Sequence, residues 1–213
     1  MKEYHKIQTV FKRDPETKFK TLLMGDYSLP EFDYLKDNEW TWTEKVDGTN
    51  IRVMWDGIRV TFGGKTDRAQ IPAHLIEVLM ETFKPRLMQD KFSPDGNVCL
   101  YGEGYGVKIQ KGGNYIPDGA DFILFDCKVG PWWMERESLE DIATFLGIDI
   151  VPIIGRGTLD EAVEFCRKGY KSTIADNVDY DAEGLVLKPS MELIARSGAR
   201  IISKIKHKDF THE

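Results

Sequence analysis

Between Trp40 and Phe62 the chain runs through three β-rich segments with only a few residues between them: Trp40 to Lys45, Asn50 to Trp55 and Ile58 to Phe62. Asp56-Gly57 is a strong two-residue hairpin signal. The stretch reads as a three-strand meander, and few strands elsewhere are separated by a single helix. A simple βαβ parallel sheet is therefore disfavoured. The expected class is α+β: antiparallel β-sheets around a cleft, with helices outside.

The other segments fit that class. Lys6 to Val10 reads as a short strand, and Leu29-Pro30 marks a turn. Pro72 to Phe83 carries Leu75, Ile76, Leu79, Met80 and Phe83 at helical spacing. Pro85 and the turn Ser93-Pro94-Asp95-Gly96 bracket a loop; Lys108 to Gly119 is a second, glycine-rich loop. Strands are expected at Asn97 to Tyr101, ending at Gly102-Glu103-Gly104, and at Asp121 to Val129. Three more are expected at Ile150 to Ile154, Gly184 to Lys188 and Arg200 to Lys206. Glu137 to Phe145 reads as a helix capped by Ser138 and stopped by Gly147. Thr158 to Lys168 is another, with Thr158 and Glu161 at capping-box spacing. No linker marks a domain boundary.

Composition narrows the function classes. The net charge of −6 excludes broad electrostatic coating of nucleic acid, but not a local basic groove. No apolar run is long enough for a bilayer, and the N-terminus is charged without a signal-peptide core, so no membrane partner is expected. Cys99, Cys127 and Cys166 lie far apart with no CxxC pair. They read as reduced, mostly buried thiols of a cytoplasmic protein, not a zinc site. His5, His74, His207 and His212 have no ligand spacing and read as surface residues.

The chemistry concentrates in five stretches. Lys45 ends a strand in Glu44-Lys45-Val46-Asp47-Gly48-Thr49-Asn50. A lysine facing a cleft is a nucleophile once its ammonium loses its proton, which needs desolvation or neighbouring positive charge. Otherwise the stretch is a hairpin turn with a solvated lysine. Glu103 lies in glycine-rich backbone that lets a ligand approach closely, where a carboxylate can accept hydrogen bonds from sugar hydroxyls. Phe125 shares a strand face with Ile123 by simple alternation, and an aromatic there can stack on a base. Phe122 reads as core. Glu183 and Lys188 bracket an apolar strand; the first could hold a divalent cation and the second meet phosphate. Lys204 and Lys206 share a strand face, repel each other unless an anion intervenes, and lower the pKa of a nearby lysine. Trp132-Trp133 is either a base-stacking platform or, more in keeping with burial habits, one buried ring and one across a loop.

Taken in order, these stretches resemble the covalent nucleotidyltransferases, the superfamily of ATP-dependent polynucleotide ligases and mRNA capping enzymes. The signature runs Lys-x-Asp-Gly-x-Asn at 45–50, Gly-Glu at 102–103, Phe-Asp at 125–126, Glu-Gly-x-Val-x-Lys at 183–188 and Lys-x-Lys at 204–206. Within it, Glu44-Lys45-x-x-Gly48-Thr49-Asn50 and the loop from Gly106 to Gly112 are most similar to nick-sealing phage RNA ligases and RNA-editing ligases. The resemblance implies an ATP-grasp-like nucleotidyltransferase domain of α+β class, with a nucleotide-binding cleft. It also implies an ATP-dependent RNA ligase working through lysyl-AMP, with Mg²⁺ as the metal and Mn²⁺ as the alternative.

The resemblance assigns roles residue by residue. Lys45 is the nucleophile. Glu44 helps to read the adenine edge through its backbone, and Asn50 orients the α-phosphate or the 5′-phosphate. Glu103 binds the ribose and Phe125 stacks on adenine. Glu183 acts in the metal shell that orients the lysine. Lys204 and Lys206 hold the α-phosphate and stabilise its transition-state charge. Lys65 stands where these ligases usually carry arginine, with Arg68 close by; lysine keeps the charge but loses the bidentate fork. Asp47 either assists the metal or forms the turn.

Seven residues follow Lys206. The resemblance thus implies a bare nucleotidyltransferase domain over 1–213, without the barrel or accessory domain of larger ligases. The implied partner is RNA with 5′-phosphate and 3′-hydroxyl ends, as a nicked duplex or single strand, with an accessory RNA-binding protein or the N-terminal segment supplying affinity. A compact DNA ligase, a capping enzyme and a non-catalytic nucleotide- or RNA-end-binding module are the alternatives.

Overall fold

The computed structural model describes residues 3–92, 96–110 and 115–210. In chain order its strands are β1 (Gln8–Thr9), β2 (Phe11–Arg13), β3 (Leu22–Tyr27), β4 (Trp40–Glu44), β5 (Thr49–Trp55), β6 (Val60–Gly63) and β7 (Val98–Gly106). They continue as β8 (Ala120–Val129), β9 (Trp132–Trp133), β10 (Asp149–Ile150), β11 (Ile153–Gly157), β12 (Gly184–Pro189) and β13 (Ser203–Lys206). The helices are α1 (Pro30–Leu35), α2 (Ala73–Thr82), α3 (Pro85–Lys91), α4 (Arg136–Leu146) and α5 (Leu159–Lys168). The class is α+β with mainly antiparallel sheets. Among the described residues no helix is long and apolar enough to cross a membrane.

The chain forms two compact units. The first holds Asp47–Val151 together with residues 3–5 and Ala175–Asn177. Its sheet runs β10-β8-β7-β5-β6, with β9 on β8. All pairs are antiparallel except β10 with β8. On β5, Ile51, Val53 and Trp55 point into a core that also takes Leu100, Phe122 and Leu124, the α2 residues Leu75 and Leu79, and the α4 residues Ile142 and Leu146. Each such side chain contributes roughly 1.5–3 kcal/mol by leaving water. The alternate β5 residues, Asn50, Arg52 and Met54, then belong to the opposite sheet face.

The second unit holds Lys6–Val46, Pro152–Ile174 and the chain from Val178 onward. Its sheet runs β1-β13-β12-β4-β11, with only the short β1 parallel to its neighbour β13 among the described pairs. Trp40, Trp42, Leu185, Leu187 and Ile205 pack with Leu159, Ala162, Val163 and Cys166 of α5. The α5 start is fixed by the expected box, Thr158 accepting from the Glu161 amide while Glu161 reaches back to Thr158. A separate β2–β3 hairpin completes the unit.

Several expectations are corrected. The three-strand meander is split: β5 and β6 pair, but β4 lies in the other sheet between β12 and β11. Residues 45–48 are not a tight turn, so the chain after β4 is free to leave its sheet. Ile150 to Ile154 is likewise two strands in two sheets. Pro85 does not open a loop; it is the first residue of α3, where its fixed φ and missing N–H cost nothing. Leu29-Pro30 similarly leads into α1. The α4 cap is Glu135 without a side-chain bond, not Ser138, while Gly147 closes the helix in the left-handed region as expected. β7 continues through Glu103 to Gly106, so Glu103 is within a strand and not at its end. His5, His74 and His207 are half-buried; His74 meets the Val107 carbonyl and His207 that of Cys166. The turn at Ser93-Pro94-Asp95, residues 111–114 of the glycine-rich loop and His212 lie outside the described residues.

Gly102 shows why the sheet of the first unit tolerates no side chain beside Glu103. A Cβ there would stand 2.2 Å from the Phe122 ring and 2.4 Å from the Ile123 carbonyl oxygen. Gly102→Ala should lower the unfolding free energy by roughly 1–3 kcal/mol through overpacking, read by denaturant unfolding against wild type. Unchanged stability would contradict this packing.

Candidate active site

Lys45 follows the last residue of β4. Strand alternation places it with Thr41 and Thr43, away from the buried Trp40 and Trp42. Its amide donates to the Gly184 carbonyl at 2.9 Å, and the Tyr170 hydroxyl donates to the same oxygen at 2.7 Å. The backbone at the lysine is thus tied to the start of β12. Its ammonium donates to Glu183 Oε2 at 2.5 Å and lies 3.3 Å from the Val46 carbonyl.

The other Glu183 oxygen, Oε1, is held by the Lys206 ammonium. One carboxylate therefore bridges two lysines from different strands. The register explains it: Gly184 on β12 is opposite Lys206 on β13, and Val186 is opposite Lys204. Lys204 and Lys206 share the expected face, and Lys188, two residues beyond Val186, belongs to it too. Burial pushes the Glu183 carboxyl up, but the Lys45 charge, the bonds from Lys206 and Lys45 and the Lys206 charge outweigh it. The group is held below the ordinary carboxylate range. It is a fixed counter-ion and hydrogen-bond acceptor, ill suited to take a proton from an ammonium.

Glu44 carries a role that the sequence reading missed. Its side chain is 1% exposed, on the opposite face from Lys45. The carboxylate accepts from Ser172 Oγ at 2.5 Å, the Thr173 amide at 2.9 Å and Thr173 Oγ1 at 3.0 Å. Its own amide donates to the Pro152 carbonyl. A buried carboxylate with three donors is an anchor, and this one fixes the residue before the lysine. No sequence signal marks it, because its partners are more than a hundred residues away.

In the first unit, Asn50 and Glu103 are register partners on β5 and β7, and Glu103 is opposite Ile123 on β8. Both are half-buried. The Asn50 Oδ1 is buried without a hydrogen-bond partner among the described residues. Phe125 does not follow the simple alternation. Tyr101 pairs with Asp126 and Gly102 with Leu124, so Phe125 is the extra residue of a β-bulge. After the bulge Cys127, instead of Asp126, joins Phe122 and Leu124 in the core. Phe125 is half-buried, with the Tyr4 ring edge-on at 5.1 Å. Tyr4 is held in turn by a 2.8 Å bond to Asp126. Bulges re-aim side chains in this way next to functional positions.

Lys65 is exposed in the stretch after β6. That stretch is pinned by Arg52, which is 1% exposed and donates to the Gly64 carbonyl at 2.9 Å and to Asp67 at 2.7 Å. Arg52 was not singled out from the sequence; its position on β5, two residues after Asn50, is the available signal. Asp47 donates its amide to the Tyr115 hydroxyl at 3.2 Å. Trp132 is exposed, while Trp133 is half-buried against Tyr4 and Tyr101. The three cysteines are buried; burial pushes Cys166 up to about 12 and raises Cys99 and Cys127, so none is a ready nucleophile.

Among the described residues no three His, Cys, Asp or Glu side chains converge. A protein cage for a metal is therefore not what these residues form. Each Glu183 oxygen is already paired with an ammonium, so a hydrated divalent cation would meet this carboxylate only through water or in place of one of those pairs.

A family model described as RNA ligase matches residues 38–206. Solved structures of the RNA ligase of Naegleria gruberi share the fold. The apo form of one point mutant gives a TM-score of 0.66 at 16% identity, over 98% of this chain and 58% of that one. A structure with PPi gives 0.65 at 18% identity, over 99% and 59%. A mutant with ATP and Mn gives 0.63 at 19% identity, over 83% and 52%. The chain spans between 52% and 59% of the length of those proteins. The family match takes in every one of the signature stretches from Lys45 to Lys206, and the chain belongs to the RNA ligase family.

Proposed function

We propose that this chain is an ATP-dependent RNA ligase that forms a covalent lysyl-AMP intermediate on Lys45. The observation that carries the reading is the bridged pair of lysines: Lys45 and Lys206 held on the two oxygens of Glu183 in a chain of this family. The neutral Lys45 amine attacks the α-phosphorus of ATP. A nitrogen–phosphorus bond forms, the bond to the bridging oxygen breaks, pyrophosphate departs with that electron pair, and the nitrogen loses its proton to solvent water. A 5′-phosphate oxygen of RNA then attacks the same phosphorus and frees the lysine. Finally a 3′-hydroxyl attacks the activated 5′-phosphate, AMP leaves, and the phosphodiester is sealed.

The protein's part is positioning and charge. Glu183 orients Lys45 and separates it from Lys206. Lys204 and Lys206 neutralise oxygens of the α-phosphate, and Lys188 meets phosphate on the same sheet face. Glu103 takes the ribose, and the bulged Phe125 stacks on adenine. Asn50 has a buried amide oxygen awaiting a donor, and turning that amide over would offer its NH₂ to a phosphate. Lys65 adds an exposed positive charge, and the Glu44 backbone reads the adenine edge while its side chain holds the strand end. Mg²⁺ or Mn²⁺, held through Glu183 and water, would withdraw charge from the phosphate oxygens. The Naegleria ligase has been solved with ATP and Mn, which agrees with that donor set. RNA with 5′-phosphate and 3′-hydroxyl ends, nicked or single-stranded, is the proposed substrate.

Incubation with α-labelled ATP and a divalent cation, followed by denaturing electrophoresis, tests the first step. Label should stay on the protein and be released by acid but not by alkali. Lys45→Ala should reduce it below detection, and Phe125→Ala should raise the KM for ATP about tenfold by removing one base–aromatic stack. Adduct formation by Lys45→Ala at the wild-type rate would overturn the assignment. No adduct from wild-type protein shown to be free of AMP would favour a non-catalytic binding module.

The counter-ion role of Glu183 has a pH signature. Its folded pKa is depressed from the ordinary 4.5, so its ionised form stabilises the fold above that value. That contribution is lost as pH falls through the lower folded value. Glu183→Gln should be less stable than wild type near neutrality, and the gap should begin to shrink below about pH 4.5 and vanish below the folded value. Thermal unfolding across pH reads the difference; a gap independent of pH would show that the carboxylate charge is not what stabilises the pair.

A further inference from the structure

The β2–β3 hairpin ends in a strained, basic and aromatic tip. From Asp14 the chain makes one helical turn, in which Lys18 N donates to the Pro15 carbonyl and Phe19 N to that of Asp14. This pair of bonds is a Schellman closure, whose left-handed position glycine ordinarily fills. Here that position is Lys18, at φ 57°, and Phe19 after it is also left-handed, at φ 63°. Two consecutive non-glycine residues in this region are uncommon, and such outliers gather where backbone strain serves a site.

Hydrogen bonds tie the backbone of the tip, and Lys18, Phe19 and Lys20 face water. Asp14 N donates to the Thr21 carbonyl across the hairpin, and Arg13 Nη1 reaches the Phe19 carbonyl at 3.3 Å. Phe19 is 61% exposed, with Lys18 and Lys20 exposed on either side. The nearby charges are accounted for: Asp14 Oδ1 takes the Glu16 amide, Lys12 is paired with Asp26, and Glu16 is exposed. At its base the hairpin is fastened to the lysine strand. Arg13 Nη2 donates to Asp209 Oδ1 at 2.7 Å, and Asp209 Oδ2 accepts the amide of Lys206 at 3.2 Å.

We propose that Lys18-Phe19-Lys20 binds a single strand of RNA, with a base on the Phe19 ring and backbone phosphates at the two ammonium groups. The inference rests on the RNA ligase reading for its substrate class. An exposed ring between two cations matches the stacking-plus-phosphate chemistry of single-stranded nucleic acid binders. A purely apolar protein partner would leave both ammonium groups without a counter-charge. The hydrogen-bonded left-handed backbone presets the direction in which the Phe19 ring leaves the chain, which lowers the ordering cost of binding.

The test uses the full chain and a short 5′-phosphorylated single-stranded oligoribonucleotide, with affinity read by fluorescence anisotropy over a salt series. Phe19→Ala should weaken binding about tenfold. Lys18→Gly should lower the dependence of log K on log salt by about 0.7, the value for one phosphate contact on a single strand. Glycine also relieves the left-handed strain, so the Lys18→Gly protein should unfold at the same temperature as wild type or higher. Weaker RNA binding by a protein that is no less stable cannot come from damage to the fold. RNA binding and salt dependence equal to wild type in both variants would overturn the proposal. The AMP adduct of wild-type protein is measured separately, and its absence would overturn the ligase reading instead.

Discussion

Two ammonium groups brought close together repel, and each loses hydration as it is covered. In this protein Lys45 and Lys206 are brought together nonetheless, because Glu183 offers one oxygen to each. Breaking such a cluster by removing its shared anion leaves like charges with no compensation, which is why the carboxylate constrains everything around it. Its position follows from the sheet of the second unit. β12 must lie between β4 and β13 for a residue just before β12 to reach a lysine just after β4 and another at the end of β13. The non-sequential order of these strands is thus what assembles a charge cluster from residues 45, 183 and 206.

What could be read in the sequence was whatever depends on short spacing. The alternation that puts Lys204 and Lys206 on one face, the hairpin at Asp56-Gly57 and the Thr158–Glu161 capping box are all local, and the structure has them. Strand partnership is not local. Nothing between Trp40 and Phe62 reveals that β4 pairs with strands more than a hundred residues later while β5 pairs with β7. The signature stretches placed the lysines and carboxylates in one list; the register sorts them, with the lysines and Glu183 in one sheet and Asn50, Glu103 and Phe125 in the other.

The roles that the sequence did not reveal are those of buried polar side chains. Glu44 and Arg52 are each 1% exposed, and each spends its hydrogen bonds on backbone or side chains of a distant segment. Both flank positions of chemical interest: Glu44 precedes Lys45, and Arg52 holds the stretch that carries Lys65. A charged group is buried only where its partners are fixed, and fixed partners in turn stiffen the neighbouring backbone. Such residues resemble surface charges in sequence because their partners are not within a turn or a strand repeat of them.

Some departures from ideal packing in this chain fall at positions of chemical interest, beside others, such as the indole nitrogens of Trp42 and Trp55, unpartnered among the described residues, that do not. Phe125 interrupts a strand as a bulge, Asn50 keeps a buried amide oxygen without a partner among the described residues, and Lys18 with Phe19 adopts backbone that glycine would take without strain. Each breaks a rule that the surrounding residues obey: the alternation of β8, the satisfied ladder of β5, the closure of a helical turn. A fold selected for stability alone would remove all three, since a regular strand, a paired amide and a glycine are available alternatives. A local rule broken without a compensating gain is a reason to test the position for a ligand. Two of the three lie in the stretches that the family signature assigns to the nucleotide. The hairpin tip is the third, outside that signature, and by the same argument it is where contact with RNA is to be sought.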